Sequence, residues 1–117
     1  MKIVYIIGPF RGSNPWQVEC NVRRAEELAL DVASHGMMPL CPHTNTRYFD
    51  GLLTASFWLS GTIELARRCD AAICVDGILS ERSRIEVKDF ESRGAPVFQK
   101  ITDLHTWLRH EIDVGRG

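Results

Sequence analysis

The stretch Met1-Lys2-Ile3-Val4-Tyr5-Ile6-Ile7-Gly8-Pro9-Phe10-Arg11-Gly12 decides the fold class. It opens as an apolar run of β-branched and aromatic side chains. Such a run, without polar alternation, reads as a parallel strand buried on both faces. Gly8-Pro9 then ends it at once. In an open α/β sheet, the turn after the first strand lies on the ligand-binding edge. Glycines at 8 and 12 let backbone N–H groups approach an anion closely, and the Arg11 guanidinium can fork onto a phosphate. A tight strand-to-helix turn carrying a surface arginine accounts for the same residues, and the turn alone does not choose between the two.

Working outward, the 117 residues are the size of one domain, expected over 1–113 with a frayed tail at 114–117. Hydrophobic residues make up 44% and charged ones 25%, an ordinary globular balance. Fourteen basic residues against 15 acidic ones (net charge -1) argue against an extended nucleic-acid surface, which needs a basic excess. No apolar run approaches the ~20 residues that span a bilayer. Met1 leads straight into a strand, so no secretory leader is expected. Cys20, Cys41, Cys69 and Cys74 match no zinc spacing and sit mostly in or beside apolar runs. They read as free core thiols, the compartment as cytoplasmic, and no metal or cofactor is expected.

Strand and helix alternate along the rest of the chain. Asn14-Pro15-Trp16 reads as a loop or helix start, and 18–35 carries Val22, Ala25, Leu28, Ala29 and Val32 at helical spacing before Gly36. A second strand is expected over 37–41. Residues 42–56 form the longest irregular segment, and a polar loop of that length with aromatics reads as functional. A helix is expected over 57–68, a strand over 70–75 ending at Asp76-Gly77, a helix over 80–93, a strand over 95–98 and a last helix over 102–112. Strands separated by helices imply a parallel sheet with right-handed crossovers, so the turns after the first three strands converge on one edge.

Several side chains near that edge carry chemistry. Glu86 has two readings. In Ser83-Arg84-Ile85-Glu86 it completes a capping box; alternatively it is an ionised carboxylate at the ligand edge, able to attack a sugar anomeric carbon. Ser80 is a plain N-cap or an anion contact. Tyr5 is a core tyrosine with a satisfied hydroxyl, or a functional one. His43 and Asn45, in the long loop, suit hydrogen bonds to a base or sugar. Cys41 with His43 is too small a set to argue for metal. Asp89, Glu91 and Arg93 read as a solvated face, and Trp58 and Trp107 as packing or subunit contacts.

Taken in order, Tyr5 to Gly12, Cys69-Asp70-Ala71, Ser80 with Glu86, and Gly94-Ala95-Pro96-Val97-Phe98 resemble the nucleoside 2-deoxyribosyltransferase-like superfamily. Pro42-His43-Thr44-Asn45-Thr46 and Phe57-Trp58-Leu59-Ser60-Gly61-Thr62 resemble an uncharacterised bacterial and phage branch of it. The resemblance covers nearly the whole chain. It implies a flavodoxin- or Rossmann-like three-layer sandwich on a parallel sheet of four to five strands, and cleavage of N-glycosidic bonds. By that likeness Glu86 is the nucleophile, Tyr5 orients it, and Gly8, Pro9, Arg11 and Gly12 line the sugar or phosphate pocket. Ser80 stands where members acting on free nucleosides carry an acid, and a serine there favours a 5′-phosphate.

Two positions depart from the family pattern. Thr62 replaces an aspartate that helps protonate the leaving base. Arg82 replaces the glycine of Ser-x-Gly-x-x-x-Glu, where it either crowds the ligand or binds a phosphate itself. Glu64, two residues along the helix from Thr62, faces elsewhere. His43 is the candidate leaving-group acid in its place, since imidazole titrates near neutral pH. The expected activity is cleavage or transfer at the N-glycosidic bond of a nucleotide monophosphate or related ribosyl phosphate. The alternative is a nucleotide-binding module that has lost the acid. A homodimer or larger homo-oligomer is expected, with residues 48–60 at the interface.

Overall fold

A computed structural model of the chain describes residues 1–49, 51–75 and 79–116. Asp50, the expected Asp76-Gly77 strand end and Gly117 lie outside the described residues. The order is β1 (Ile3–Ile7), α1 (Pro15–Ser34), β2 (Met38–Leu40), α2 (Pro42–Asn45), α3 (Ala55–Ala66), β3 (Ala71–Cys74), α4 (Glu81–Ser92), β4 (Val97–Phe98) and α5 (Ile101–Arg116). The strands form one all-parallel sheet in the order β2-β1-β3-β4. This is the flavodoxin-like architecture expected, with four strands.

Alternation along β1 builds the two outer layers. Val4 and Ile6, with Ala71 and Ile73 of β3, pack on Ala25 and Val32 of α1 and Leu104 and Leu108 of α5. Tyr5 and Ile7, with Ala72 and Cys74, face Ala66 of α3 and Phe90 of α4. Phe90 is wholly buried, with its ring centroid 5.7 Å from that of Tyr5. Burying a side chain of that size contributes roughly 1.5–3 kcal/mol. Asp70 sets the register at the start of β3: its Oδ2 accepts from the Ile3 N–H at 2.8 Å while its own N–H donates to the Ile3 carbonyl at 2.8 Å. The Val75 N–H closes the far end on the Ile7 carbonyl at 2.7 Å.

Several boundaries differ from the sequence reading. Helix α1 starts at Pro15 because Asn14 caps it, its Oδ1 accepting the Gln17 N–H at 2.8 Å. The long segment after β2 begins with the short helix α2, and α3 starts at Ala55 behind the Thr54 cap. Helix α5 spans Ile101–Arg116, longer than the 102–112 expected. Asp89 is not a freely solvated charge. It bridges Arg67 of the α3 end and Arg93 of the α4 end, both at 3.2 Å, and Arg93 also donates to the Ala66 carbonyl at 3.3 Å. That cluster ties α3 to α4.

Close approach at the end of β1 requires a glycine. A Cβ built on Gly8 comes within 2.7 Å of Val75 Cγ2, whereas one on Gly61 of α3 meets nothing within 4 Å. Gly8→Ala should therefore cost about 1–3 kcal/mol through overpacking. Gly61→Ala should raise stability by about 0.5–1 kcal/mol, because glycine in a helix interior loses more conformational freedom on folding. Urea denaturation of the two variants checks both signs, and a neutral Gly8→Ala would contradict the packing described.

Candidate functional site

A cleft with a cavity of about 70 Å³ lies past the carboxyl ends of β1 and β2. Strand β1 contributes Tyr5, and the turn after it contributes Gly8, Phe10 and Arg11. Pro42, His43 and Thr46 come from α2 and its end, and Ala55, Trp58 and Thr62 from α3. Helix α4 adds Arg82 and Glu86.

Glu86 reaches the cleft because Ser83, Glu86 and Phe90 form the buried face of α4. The capping-box reading of Glu86 does not hold. The N-cap is Ser80, whose Oγ accepts the Ser83 N–H at 3.1 Å, so Glu86 lies in the second helical turn rather than the first. Its side chain is 8% exposed, and Oε1 lies 3.8 Å from Arg82 Nε. Glu86 Oε2 and the wholly buried Tyr5 hydroxyl make no hydrogen bond of ordinary length and angle, yet the two side chains interact through a looser one, which acts to raise the Tyr5 pKa and to lower that of Glu86. Burial raises the Tyr5 pKa, and the Glu86 charge raises it further. Burial also lifts the Glu86 carboxyl above its ordinary value, against the opposing pull of the Tyr5 hydroxyl and of Arg82.

Among the described residues, the buried side-chain polar atoms without a partner are Tyr5 OH, Trp58 Nε1 and Glu86 Oε2. All three belong to residues that line this cleft. Leaving such an atom unpaired costs about 1–3 kcal/mol each, so their convergence marks a place shaped for something other than stability.

Arg82 is half-exposed and spans the cleft. Its Nη2 donates to Thr62 Oγ1 at 3.0 Å, and the Thr62 hydroxyl donates in turn to the Leu59 carbonyl at 2.9 Å. Thr62 and Arg82 thus stand in direct contact. Glu64 faces away as expected and is drawn toward Arg67 at 3.7 Å.

His43 is placed differently from its expected role. It is buried, and its Nε2 lies 2.9 Å from the Gly8 carbonyl and 3.2 Å from the Pro9 carbonyl. Two carbonyls can only accept, so Nε2 carries the proton and donates it to the turn. Burial lowers the pKa, which favours the neutral ring. The imidazole therefore latches the β1–α1 turn, and its Nε2 proton is not available to a leaving base while that latch holds. Asn21 of α1, which sequence reasoning missed, does the same from the other side: its Nδ2 donates to the Phe10 and Arg11 carbonyls, both at 3.2 Å.

The remaining expected site residues divide. Gly8 and Arg11 line the cleft, whereas Pro9 contributes its carbonyl to His43. Gly12 does not line it: a Cβ there would fall 2.4 Å from Gln17 Cγ, so this glycine serves the close packing of the turn on α1. Asn45 is exposed and Thr46 lines the cleft in its stead. Ser80 stands off the cleft lining, its hydroxyl donating to Ser83 Oγ at 2.9 Å. Trp58 lines the cleft, while Trp107 packs on Phe98 of β4 at 5.8 Å. The spacing of four between Trp58 and Thr62 was the available signal, since it puts both on one face of a helix. Among the described residues no group of three or more His, Cys, Asp or Glu is placed to hold a metal ion, and no helix is long and apolar enough to cross a membrane.

Among solved structures, the chain is similar to a 2-deoxyribosyltransferase from the psychrotolerant bacterium Bacillus psychrosaccharolyticus. The TM-score is 0.59 at 17% identity, over 81% of this chain and 69% of that one. Likeness at that identity is a likeness of fold. No curated protein matches the sequence. The profile that does match spans residues 2–100, most of the chain, and by it this protein belongs to the family described as Domain of unknown function (DUF7768).

Proposed function

We propose that this protein cleaves or transfers at the N-glycosidic bond of a nucleotide monophosphate or related ribosyl phosphate, with Glu86 as nucleophile. The observation that carries the reading is the buried Glu86 carboxyl beside the buried Tyr5 hydroxyl, both on residues that line the cleft and neither in a hydrogen bond of ordinary geometry. In this reading the carboxylate attacks the anomeric carbon through an oxocarbenium-like transition state. A C–O bond forms to Glu86 as the C–N bond breaks, the electron pair leaves with the base, and the base nitrogen takes a proton from solvent. Water or an acceptor hydroxyl then releases the sugar. Tyr5 steadies the carboxylate. Arg11 lines the cleft on the β1 side and suits a phosphate. With the Ser80 hydroxyl engaged by Ser83, the phosphate contact rests on Arg11.

A second reading has an observation in its favour. Thr62 and Arg82 stand together in the cleft, and neither gives up a proton near neutral pH. A nucleotide-binding module without turnover would look the same. The two readings part on incubation with a panel of nucleoside monophosphates and the matching nucleosides. The enzyme reading expects free base to appear, faster from the monophosphates, and to vanish in Glu86→Gln. Retention of activity in Glu86→Gln would remove Glu86 from the chemistry. Binding without any base release would favour the module.

The raised Glu86 pKa has a stability consequence with a definite sign. Between the ordinary carboxyl value and the raised one, the folded protein binds more protons than the unfolded chain, so this group's contribution to stability falls as pH rises. Glu86→Gln removes that loss. Its melting temperature relative to the wild type should increase from pH 4 to pH 7, reaching equality or better. A variant that loses ground as pH rises would mark Glu86 as a stabilising ion-pair partner instead.

Self-association belongs to the same proposal. Tyr48, Phe49, Leu52, Leu53 and Phe57 stand exposed on the segment that leads into the cleft residues of α3. A second copy covering that apolar run would also narrow the cleft mouth. Light scattering at micromolar concentration should give at least a dimer, and Phe57→Glu should shift it toward the monomer.

A further inference from the structure

The α3 side of the cleft presents hydrogen-bond donors. Trp58 Nε1 is a donor and nothing else, and it is buried without a partner. Its indole is held between Phe49, 5.9 Å away, and Phe57, 5.1 Å away, so the N–H cannot easily turn to find one. Thr62 lies four residues on, along the same helix face. Its hydroxyl hydrogen goes to the Leu59 carbonyl and its oxygen receives Arg82, so it is engaged in both directions. The contact holds the Arg82 guanidinium at Thr62, one helical turn along α3 from Trp58, with its Nε turned toward Glu86 at 3.8 Å and the N–H groups used by neither left to donate. A ligand group that meets Trp58 and Arg82 here has to bring an acceptor.

We propose that Trp58 and Arg82 read an oxo group on the ligand's heterocycle, so that the cleft takes oxo-bases in preference to their amino counterparts. An oxo oxygen satisfies the Trp58 N–H and can share the guanidinium. An exocyclic amino group at the same place sets N–H against N–H and leaves the indole unpaired, the situation in which polar sites discriminate most strongly. The inference deepens the proposed function, since it rests on a nucleobase-bearing ligand, and it does not depend on turnover.

Free hypoxanthine and adenine test it, because they carry oxo and amino groups at one position and have no glycosidic bond to cleave. In calorimetric titrations the wild type should bind hypoxanthine at least about tenfold more tightly than adenine, the scale of one buried hydrogen bond. Trp58→Phe keeps the ring, removes the donor and should abolish the preference. If that variant fails to fold by circular dichroism, Arg82→Gln should weaken hypoxanthine binding while leaving adenine binding unchanged. Equal affinities in the wild type, no binding of either base, or a preference that survives in the folded variant would each overturn the proposal. An intact hypoxanthine preference without base release from any nucleotide would leave this inference standing and remove the catalytic reading. Base release without the preference would do the reverse.

Discussion

The parallel pairing of β1 with β3 is the constraint on which the rest of the molecule hangs. Asp70 pins one end of the pair through Ile3, and the Val75 N–H pins the other on the Ile7 carbonyl. Between them Tyr5 sits opposite Ala72, and that small neighbour leaves the Tyr5 ring room to lie against Phe90. Phe90 anchors the buried face of α4, and Glu86 is on that same face one turn earlier. A slip of one residue in β1 would turn Tyr5 to the α1 side and separate the two unpartnered oxygens of the cleft. The position of Glu86 is thus a consequence of strand register, transmitted through one aromatic contact.

The same register brings Gly8 against Val75 and leaves the following turn to be held by side chains from elsewhere. His43 holds the Gly8 and Pro9 carbonyls, and Asn21 those of Phe10 and Arg11. Backbone groups that no ladder can satisfy are met by two buried polar residues, one from each flanking helix. The turn that carries Phe10 and Arg11 is therefore braced on both sides. By contrast, the cleft it borders contains the described buried polar atoms that are left without partners. A fold that satisfies its turn so fully and leaves its cleft unsatisfied concentrates its local cost where a ligand would relieve it.

Thr62 and Arg82 are twenty positions apart in the sequence, where nothing links them. In space they are one hydrogen-bonded unit, with Arg82 bridging Thr62 of α3 and Glu86 of α4. An arginine beside an aspartate would be held in an ion pair; beside a threonine it keeps donors for other partners.

The α/β alternation, the parallel sheet and the edge on which the site would lie were legible in the sequence, because apolar runs and glycine punctuation are local properties. Ser80 as a helix cap, and Gly36 closing α1, were likewise written in local pattern. The start of α3 and the extent of α5 were not, since polar helix ends depend on caps and packing beyond the window in which periodicity is read. The roles of individual residues were decided by tertiary structure. His43 turns from a candidate acid into a latch because two carbonyls distant in the chain meet its Nε2. Ser80 caps rather than lines the cleft because α4 begins there. Trp58 enters the cleft because α3 is tied to α4 through Arg67, Asp89 and Arg93. Sequence determined which chemical groups the chain possesses and which layers they fold into. Only the packing of α3 and α4 on β1 decided which of those groups are left unpaired, because hydrogen-bond satisfaction is a property of distances between segments and not of any segment alone.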